Sequence, residues 1–79
     1  MSELLSVHDG LVTEVGSRIF ALRTGRGWSQ ADLAGRLGMP RSRISKWEIG
    51  MQAPQLAELF AMSQVFRVSL DELVTGRRD

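Results

Sequence analysis

The sequence predicts an all-α fold of five helices. Apolar residues recur at spacings of three and four along several stretches, and capping residues, glycines and prolines separate these stretches. No stretch shows sustained alternation of polar and apolar residues between turn signals, so we predict no strand. The chain has 79 residues, which form one domain near the lower size limit for folding, where a core contributes only about 3–5 kcal/mol.

The first predicted helix runs from Leu11 to Thr24. Its apolar side chains keep helical spacing at Leu11, Val12, Val15, Ile19 and Leu22. Asp9 is the predicted N-cap, and Gly16 indicates either close packing or no special role. We expect residues 1–10 to form an N-terminal arm, either frayed or a short helix packed on a partner. Residues 11–76 then form the domain, and residues 77–79 form a C-terminal tail.

Two short helices joined by a tight turn are predicted between Trp28 and Glu48. Ser29 is the N-cap of the first, with Asp32 completing a weak capping box, and Gly38 is its left-handed C-cap. Pro40 suits the first turn of the second helix. The apolar residues of the pair are Leu33, Ala34, Leu37, Ile44 and Trp47. Trp28 is expected to pack back on the first of these helices as a staple.

The outward face of the second helix is basic and rich in hydrogen-bond donors. A step of about 100° per residue places Ser42, Ser45, Lys46 and Ile49 opposite the apolar stripe, with Arg41 and Arg43 on its flanks. The charge of the chain is segregated in the same way. Its net charge is +1, but residues 18–46 carry +6, whereas residues 1–17 and 47–76 each carry −3. These features predict a helix-turn-helix whose second helix enters the major groove of DNA.

Two further helices are predicted after a loop over residues 49–54. Gly50 is the expected C-cap before this loop, and Pro54 is expected to open the next helix. That helix, residues 55–66, is expected to close the core through Leu56, Leu59, Phe60, Phe66, Ala57, Met62 and Val65. A capping box from Ser69 to Glu72 begins the last helix, which ends at Gly76.

Several classes of protein and site are excluded by composition. Cysteine is absent and His8 is the only histidine, so neither a disulfide nor a Cys/His zinc site is expected. We expect neither a membrane-spanning nor a secreted protein, and we expect a cytoplasmic location. The Gly25-Arg-Gly27 turn follows no strand, so it is not a nucleotide-binding loop. No nucleophile, base and orienting group can be assembled around His8, which predicts a protein that is not an enzyme and has no cofactor or sensor domain.

The pattern W-S-Q-x-x-L-A-x-x-L-G, I-S-x-W-E-x-G-x-x-x-P, L-x-x-L and V-S-L-D-E-L runs from about Arg18 to Gly76. It resembles the phage Cro/repressor-like helix-turn-helix family, which includes bacterial regulators of the xenobiotic-response-element type. The resemblance implies a five-helix, lambda-repressor-like DNA-binding domain that acts as a homodimer on a pseudo-palindromic operator. Pro40 and Gly35 depart from the family pattern at the turn and in the first motif helix.

The resemblance also implies roles for individual residues. Arg41, Ser42 and Lys46 match positions that reach base edges. Gln30, Arg43 and Ser45 match positions near phosphates, and the loop around Gln52 is expected to contribute there too. Arg23 and Glu48 match a structural ion pair.

The expected dimer interface is the apolar surface of the C-terminal third, formed by Phe66, Val68, Leu70, Leu73 and Val74, with contributions from Leu11, Leu4 and Leu5.

A stand-alone repressor, a restriction–modification controller and an antitoxin all fit the length. The alternative from another class is a helical interaction module whose main partner is a protein. The basic face between Arg41 and Lys46 favours double-stranded DNA and, for the bound state, association with the nucleoid.

Overall fold

The computed structural model describes residues 2–78 and the side chains of residues 9–78. It contains five helices: α1 (Ser2–Gly25), α2 (Gln30–Leu37), α3 (Arg41–Glu48), α4 (Leu56–Phe66) and α5 (Leu70–Thr75). No strand occurs among these residues, which confirms the all-α prediction. None of the helices in the described part of the chain is long and apolar enough to cross a membrane.

The first helix is longer than predicted. It begins at Ser2 and continues without a break into the segment expected to start at Leu11, so the predicted N-cap at Asp9 is wrong. Asp9 and Gly10 each lower helix propensity by no more than about 1 kcal/mol, and the helix formers on both sides outweigh that cost. The side chains of Leu4, Leu5 and His8 lie outside those that the structure describes.

The predicted caps of α2 are confirmed, and so are the Ser69 N-cap and the Gly76 C-cap of α5. The predicted capping box of α5 is only half formed, since the Glu72 carboxylate pairs with Arg78 at 3.5 Å and does not accept the Ser69 N–H. Ser29 Oγ accepts a hydrogen bond from the Asp32 backbone N–H at 3.0 Å, and Asp32 Oδ2 accepts one from the Ser29 N–H at 2.8 Å. Gly38 adopts the left-handed conformation after α2, and Gly76 does so after α5. Ser69 Oγ accepts the Glu72 N–H at 2.9 Å and so begins α5. These caps satisfy backbone groups that a helix terminus leaves unpaired.

The ends of α3 and α4 differ from prediction by one or two residues. Pro40 is the N-cap of α3 rather than a residue of its first turn. Ile49 is the C-cap of α3, and Gly50 follows it with a φ of +74°. The N-cap of α4 is Gln55, because its backbone N–H donates to the Glu58 carboxylate at 2.7 Å and completes a capping box. Pro54 therefore precedes the helix instead of opening it.

The core lies where α1 packs against α3 and α5, with α2 and α4 closing it. Its buried apolar residues are Val15, Ile19, Leu33, Ala34, Ile44, Trp47, Met62, Phe66 and Leu73. Gly16 allows the closest approach, because a Cβ there would lie 2.2 Å from the Trp47 carbonyl oxygen. The expected close packing at Gly16 is therefore present. Trp28 packs against this core and stacks on Phe66, with ring centroids 5.8 Å apart.

The side of α4 that faces the core is only partly as predicted. Leu56 is 76% exposed, Phe60 is 56% exposed and Ala57 is exposed as well, so the assignment of these three residues to the core is wrong. Met62 and Phe66 are buried as predicted, and the small polar Ser63 is buried beside them. Ser63 is tolerated there because its Oγ donates to the Phe60 carbonyl at 2.6 Å.

Candidate nucleic-acid interface

The outward face of α3 is exposed, as the helical spacing predicted. Ile44 and Trp47 are buried against the core and fix the rotation of the helix about its axis. The donors expected to reach DNA lie on the other side: Arg41, Ser42, Arg43 and Lys46 are exposed, and Ser45 is half-buried. A helix held on one side and rich in donors on the other can present those donors to a groove of DNA.

A buried ion pair ties α1 to the end of α3. Arg23 Nε donates to Glu48 Oε2 at 2.6 Å, and Arg23 Nη2 donates to Glu48 Oε1 at 2.8 Å. The third donor of the guanidinium, Nη1, reaches the Trp28 carbonyl at 2.9 Å. The hydrogen bonds to Glu48 raise the pKa of Arg23 above its ordinary value, which favours the charged guanidinium.

Gln30 links this ion pair to the start of α3. Its Nε2 donates to Glu48 Oε1 at 3.0 Å, and its Oε1 accepts a hydrogen bond from Arg41 Nη1 at 2.9 Å. Because the carboxylate of Glu48 can only accept, it fixes which end of the Gln30 amide faces Arg41. The guanidinium of Arg41 is thereby oriented by a residue that was expected to contact phosphate.

Arg43 has an acidic partner that the sequence pattern did not predict. Its Nη1 forms a salt bridge with Oε2 of Glu58, on the first turn of α4. The spacing of Gln55 and Glu58 is a sequence signal that places Glu58 in a capping box at the start of α4. The signal is weak, because glutamine is not a common N-cap. No salt bridge reaches Arg41 or Lys46 among the described residues. Those two cations are left with uncompensated charge on the outward face.

Gln52 differs from the other predicted phosphate contacts in its surroundings. It lines a pocket of about 200 Å³ together with Asp9, Val12, Gly50, Met51 and Ala53. The carboxylate of Asp9 disfavours a phosphate in this pocket by like-charge repulsion. Gln52 is therefore the weakest of the predicted phosphate contacts. In the part of the chain with described side chains, no group of acidic or histidine residues could hold a metal ion.

Comparison with known proteins agrees with this geometry. Residues 19–73 match the helix-turn-helix protein family. The chain belongs to this family. The Cro/repressor-like resemblance and the predicted fold are thereby confirmed.

Two relatives of the helix-turn-helix family are longer than this chain. The HTH-type transcriptional activator BcrR of Enterococcus faecalis is 40% identical over 63 residues, which cover 80% of this chain and 31% of BcrR. YonR, an SPbeta prophage-derived uncharacterized HTH-type transcriptional regulator of Bacillus subtilis, is 39% identical over 61 residues, covering 77% of this chain and 56% of YonR. This chain thus spans about a third of one relative and about half of the other.

A solved structure has the same fold. The restriction–modification controller protein C.AhdI from Aeromonas hydrophila superimposes with a TM-score of 0.74 at 29% sequence identity. The match covers 78% of this chain and 94% of C.AhdI. The five-helix arrangement of this family is therefore present over most of the chain.

The residues predicted to form a dimer interface divide into two groups. Phe66 is 1% exposed and Leu73 is 0% exposed, so both belong to the core of one chain and their assignment to an interface is wrong. Leu70 is exposed, and Val68 and Val74 are half-buried. Val74 lines an apolar groove of about 100 Å³ with Leu11, Val12, Val15, Ala53, Pro54 and Leu59. This groove is the apolar surface that remains available near α5.

Proposed function

We propose that the protein is a sequence-specific DNA-binding transcriptional regulator that inserts α3 into the major groove. The observation that carries the proposal is the exposed donor face of α3 on a helix whose opposite face is fixed in the core by Ile44 and Trp47. Membership of the helix-turn-helix family supports it. For this function, the protein is proposed to be cytoplasmic and to associate with the nucleoid when it is bound to DNA.

Arg41 is the proposed main base contact. Its planar guanidinium can donate two hydrogen bonds to O6 and N7 of guanine, which lysine and serine cannot do. Gln30 already holds this guanidinium by a hydrogen bond of 2.9 Å, so less side-chain freedom is lost on binding. Ser42 and Lys46 lie exposed on the same helix and are proposed to contact neighbouring bases. Each good base contact discriminates by about 1–3 kcal/mol.

Phosphate contacts are proposed to set the register of α3 without reading sequence. Ser45 and the second N–H of Gln30 Nε2 are candidate donors, with Gln52 as a weaker one. Binding at an operator that overlaps a promoter represses transcription, and binding beside a promoter activates it. Both outcomes are compatible with the same interface.

The active form is proposed to be a homodimer on a pseudo-palindromic operator. The apolar groove between α1, α4 and α5, continued by Leu70 one turn before Val74, is the proposed interface. Sedimentation at micromolar concentration tests this, because a species of 8.8 kDa would be a monomer. A monomer there, together with operator sites that lack a dyad, would refute the dimer.

Selection of bound sequences from a random duplex pool tests DNA recognition itself. We expect enrichment of a site whose two halves are related by a dyad and contain guanine. Failure to enrich any sequence would instead favour a helical protein-interaction module. Leu56 and Phe60 on the exposed side of α4 are the apolar residues that such a module would present.

A further inference from the structure

The two arginines at the start of α3 have partners of different charge. Arg41 donates to the neutral amide of Gln30, whereas Arg43 forms a salt bridge with the carboxylate of Glu58. The positive charge of Arg43 is therefore compensated within the protein, and that of Arg41 is not. This difference bears on DNA binding, because a phosphate gains from a cation only the charge that is not already neutralised.

Glu58 is held in place more firmly than Arg43. Its Oε1 accepts the backbone N–H of Gln55 at 2.7 Å, and its Oε2 accepts Arg43 Nη1. The carboxylate also lies in the first turn of α4, where the helix dipole favours a negative charge. The Glu58 side chain is 13% exposed and that of Arg43 is 45% exposed. A largely buried acid, held by a backbone hydrogen bond, thus faces a cation that is still partly exposed.

We propose that Glu58 competes with DNA phosphate for Arg43 and thereby limits the affinity of the protein for duplexes of any sequence. The inference rests on the proposed DNA-binding function. Carboxylate and phosphate accept hydrogen bonds from a guanidinium in the same way. To contact a phosphate, Arg43 must either break its salt bridge with Glu58 or bring the phosphate close to the Glu58 carboxylate. The first costs the salt bridge and the second brings two anions together, so each offsets much of the favourable interaction between Arg43 and the phosphate. Arg43 then adds little to binding while Glu58 is charged.

A four-protein cycle tests the competition: the wild type, Arg43→Ala, Glu58→Gln and the double variant. Glutamine is chosen because it serves in a capping box as well as glutamate does, so α4 keeps its cap. Glu14→Gln is the matched control. Glu14 also pairs with an arginine, Arg18 at 3.8 Å, but on α1 and not on α3. Dissociation constants are measured on one random duplex from about 0.05 to about 0.2 M salt, where a single phosphate contact changes affinity roughly threefold.

Glu58→Gln is expected to bind more tightly, with a salt dependence steeper by about 0.9 for each protomer. Its advantage over the wild type should therefore grow as salt falls across that range, roughly threefold for one bound protomer and roughly tenfold for a dimer with both protomers on the duplex. The advantage should disappear in the double variant, and Glu14→Gln should leave the slope unchanged. Arg43→Ala alone should also keep the slope of the wild type.

Three results would overturn the proposal: an advantage of Glu58→Gln that persists without Arg43, an advantage matched by Glu14→Gln, or a slope reduced by about one unit in Arg43→Ala alone. The last of these does not depend on how well Glu58→Gln folds. A wild type that binds no duplex would refute the proposed function as well. A wild type that binds normally beside an unchanged Glu58→Gln would refute the competition alone.

Discussion

Replacing Arg23 with alanine is expected to destabilise the fold strongly. The side chains of Arg23 and Glu48 are only 9% and 5% exposed, so the change leaves a buried carboxylate without its cation. Breaking a buried ion pair from one side costs about 3–5 kcal/mol. A chain of 79 residues has a total stability of roughly 4–12 kcal/mol, so a large part of it would be lost. For a domain of this size the melting temperature should fall by about 12 °C or more.

Thermal melts followed by circular dichroism measure this effect, and Arg43→Ala is the matched control. Both arginines pair with a glutamate on another helix, but Arg43 is 45% exposed, and exposed pairs contribute only about 0–1 kcal/mol. The double change Arg23→Met with Glu48→Leu should recover much of the loss, because it removes both buried charges. An unchanged melting temperature in Arg23→Ala, with DNA binding abolished, would refute a structural role for the pair.

Four other changes have expected outcomes of their own. Gly16→Ala should lower the melting temperature, because overpacking against the Trp47 backbone costs about 1–3 kcal/mol. Gly35→Ala should raise the melting temperature, because its added Cβ meets nothing within 4 Å and alanine stabilises a helix by about 0.5–1 kcal/mol relative to glycine. Hydrogen bonds from Ser29 lower the pKa of Asp32, so the stability that the Asp32 carboxylate contributes is present above the ordinary aspartate pKa and is lost as pH falls through the lowered pKa. The difference in melting temperature between wild type and Asp32→Asn should therefore shrink below about pH 4. A difference that stays constant with pH would refute the cap as its source. Gln30→Leu should relax base preference while Arg41 is present and should have no effect on base preference in an Arg41→Ala background. Equal weakening on all duplexes, with base preference unchanged, would leave Gln30 with its phosphate contact alone and refute its positioning of Arg41.

Local signals allowed the caps of α2 and the orientation of α3 to be predicted. Ser29 and Asp32 act within one turn, and Gly38 acts through its own backbone conformation, so neighbouring residues determine both features. The apolar pair Ile44 and Trp47 sets the rotation of α3 in the same local way. Such features depend little on the rest of the fold.

Features that depend on packing between helices could not be predicted in the same way. Apolar residues occupy most of the circumference of α4, so spacing alone did not show that Leu56 and Phe60 face solvent. The burial of Phe66 within one chain has the same sequence pattern as burial between two chains. The salt bridge from Arg43 to Glu58 joins residues fifteen positions apart on different helices, and only their packing brings them together.

The most direct test of DNA recognition by α3 compares wild type and Arg41→Ala on the selected duplex and on a scrambled one. If Arg41 reads guanine, the variant should lose about 1–3 kcal/mol per half-site on the selected duplex. On the scrambled duplex it should lose only the part that comes from its charge, and the preference should relax at one base pair in each half-site. Equal losses on both duplexes, with the base preference intact, would contradict the proposed orientation of α3 and its base contacts.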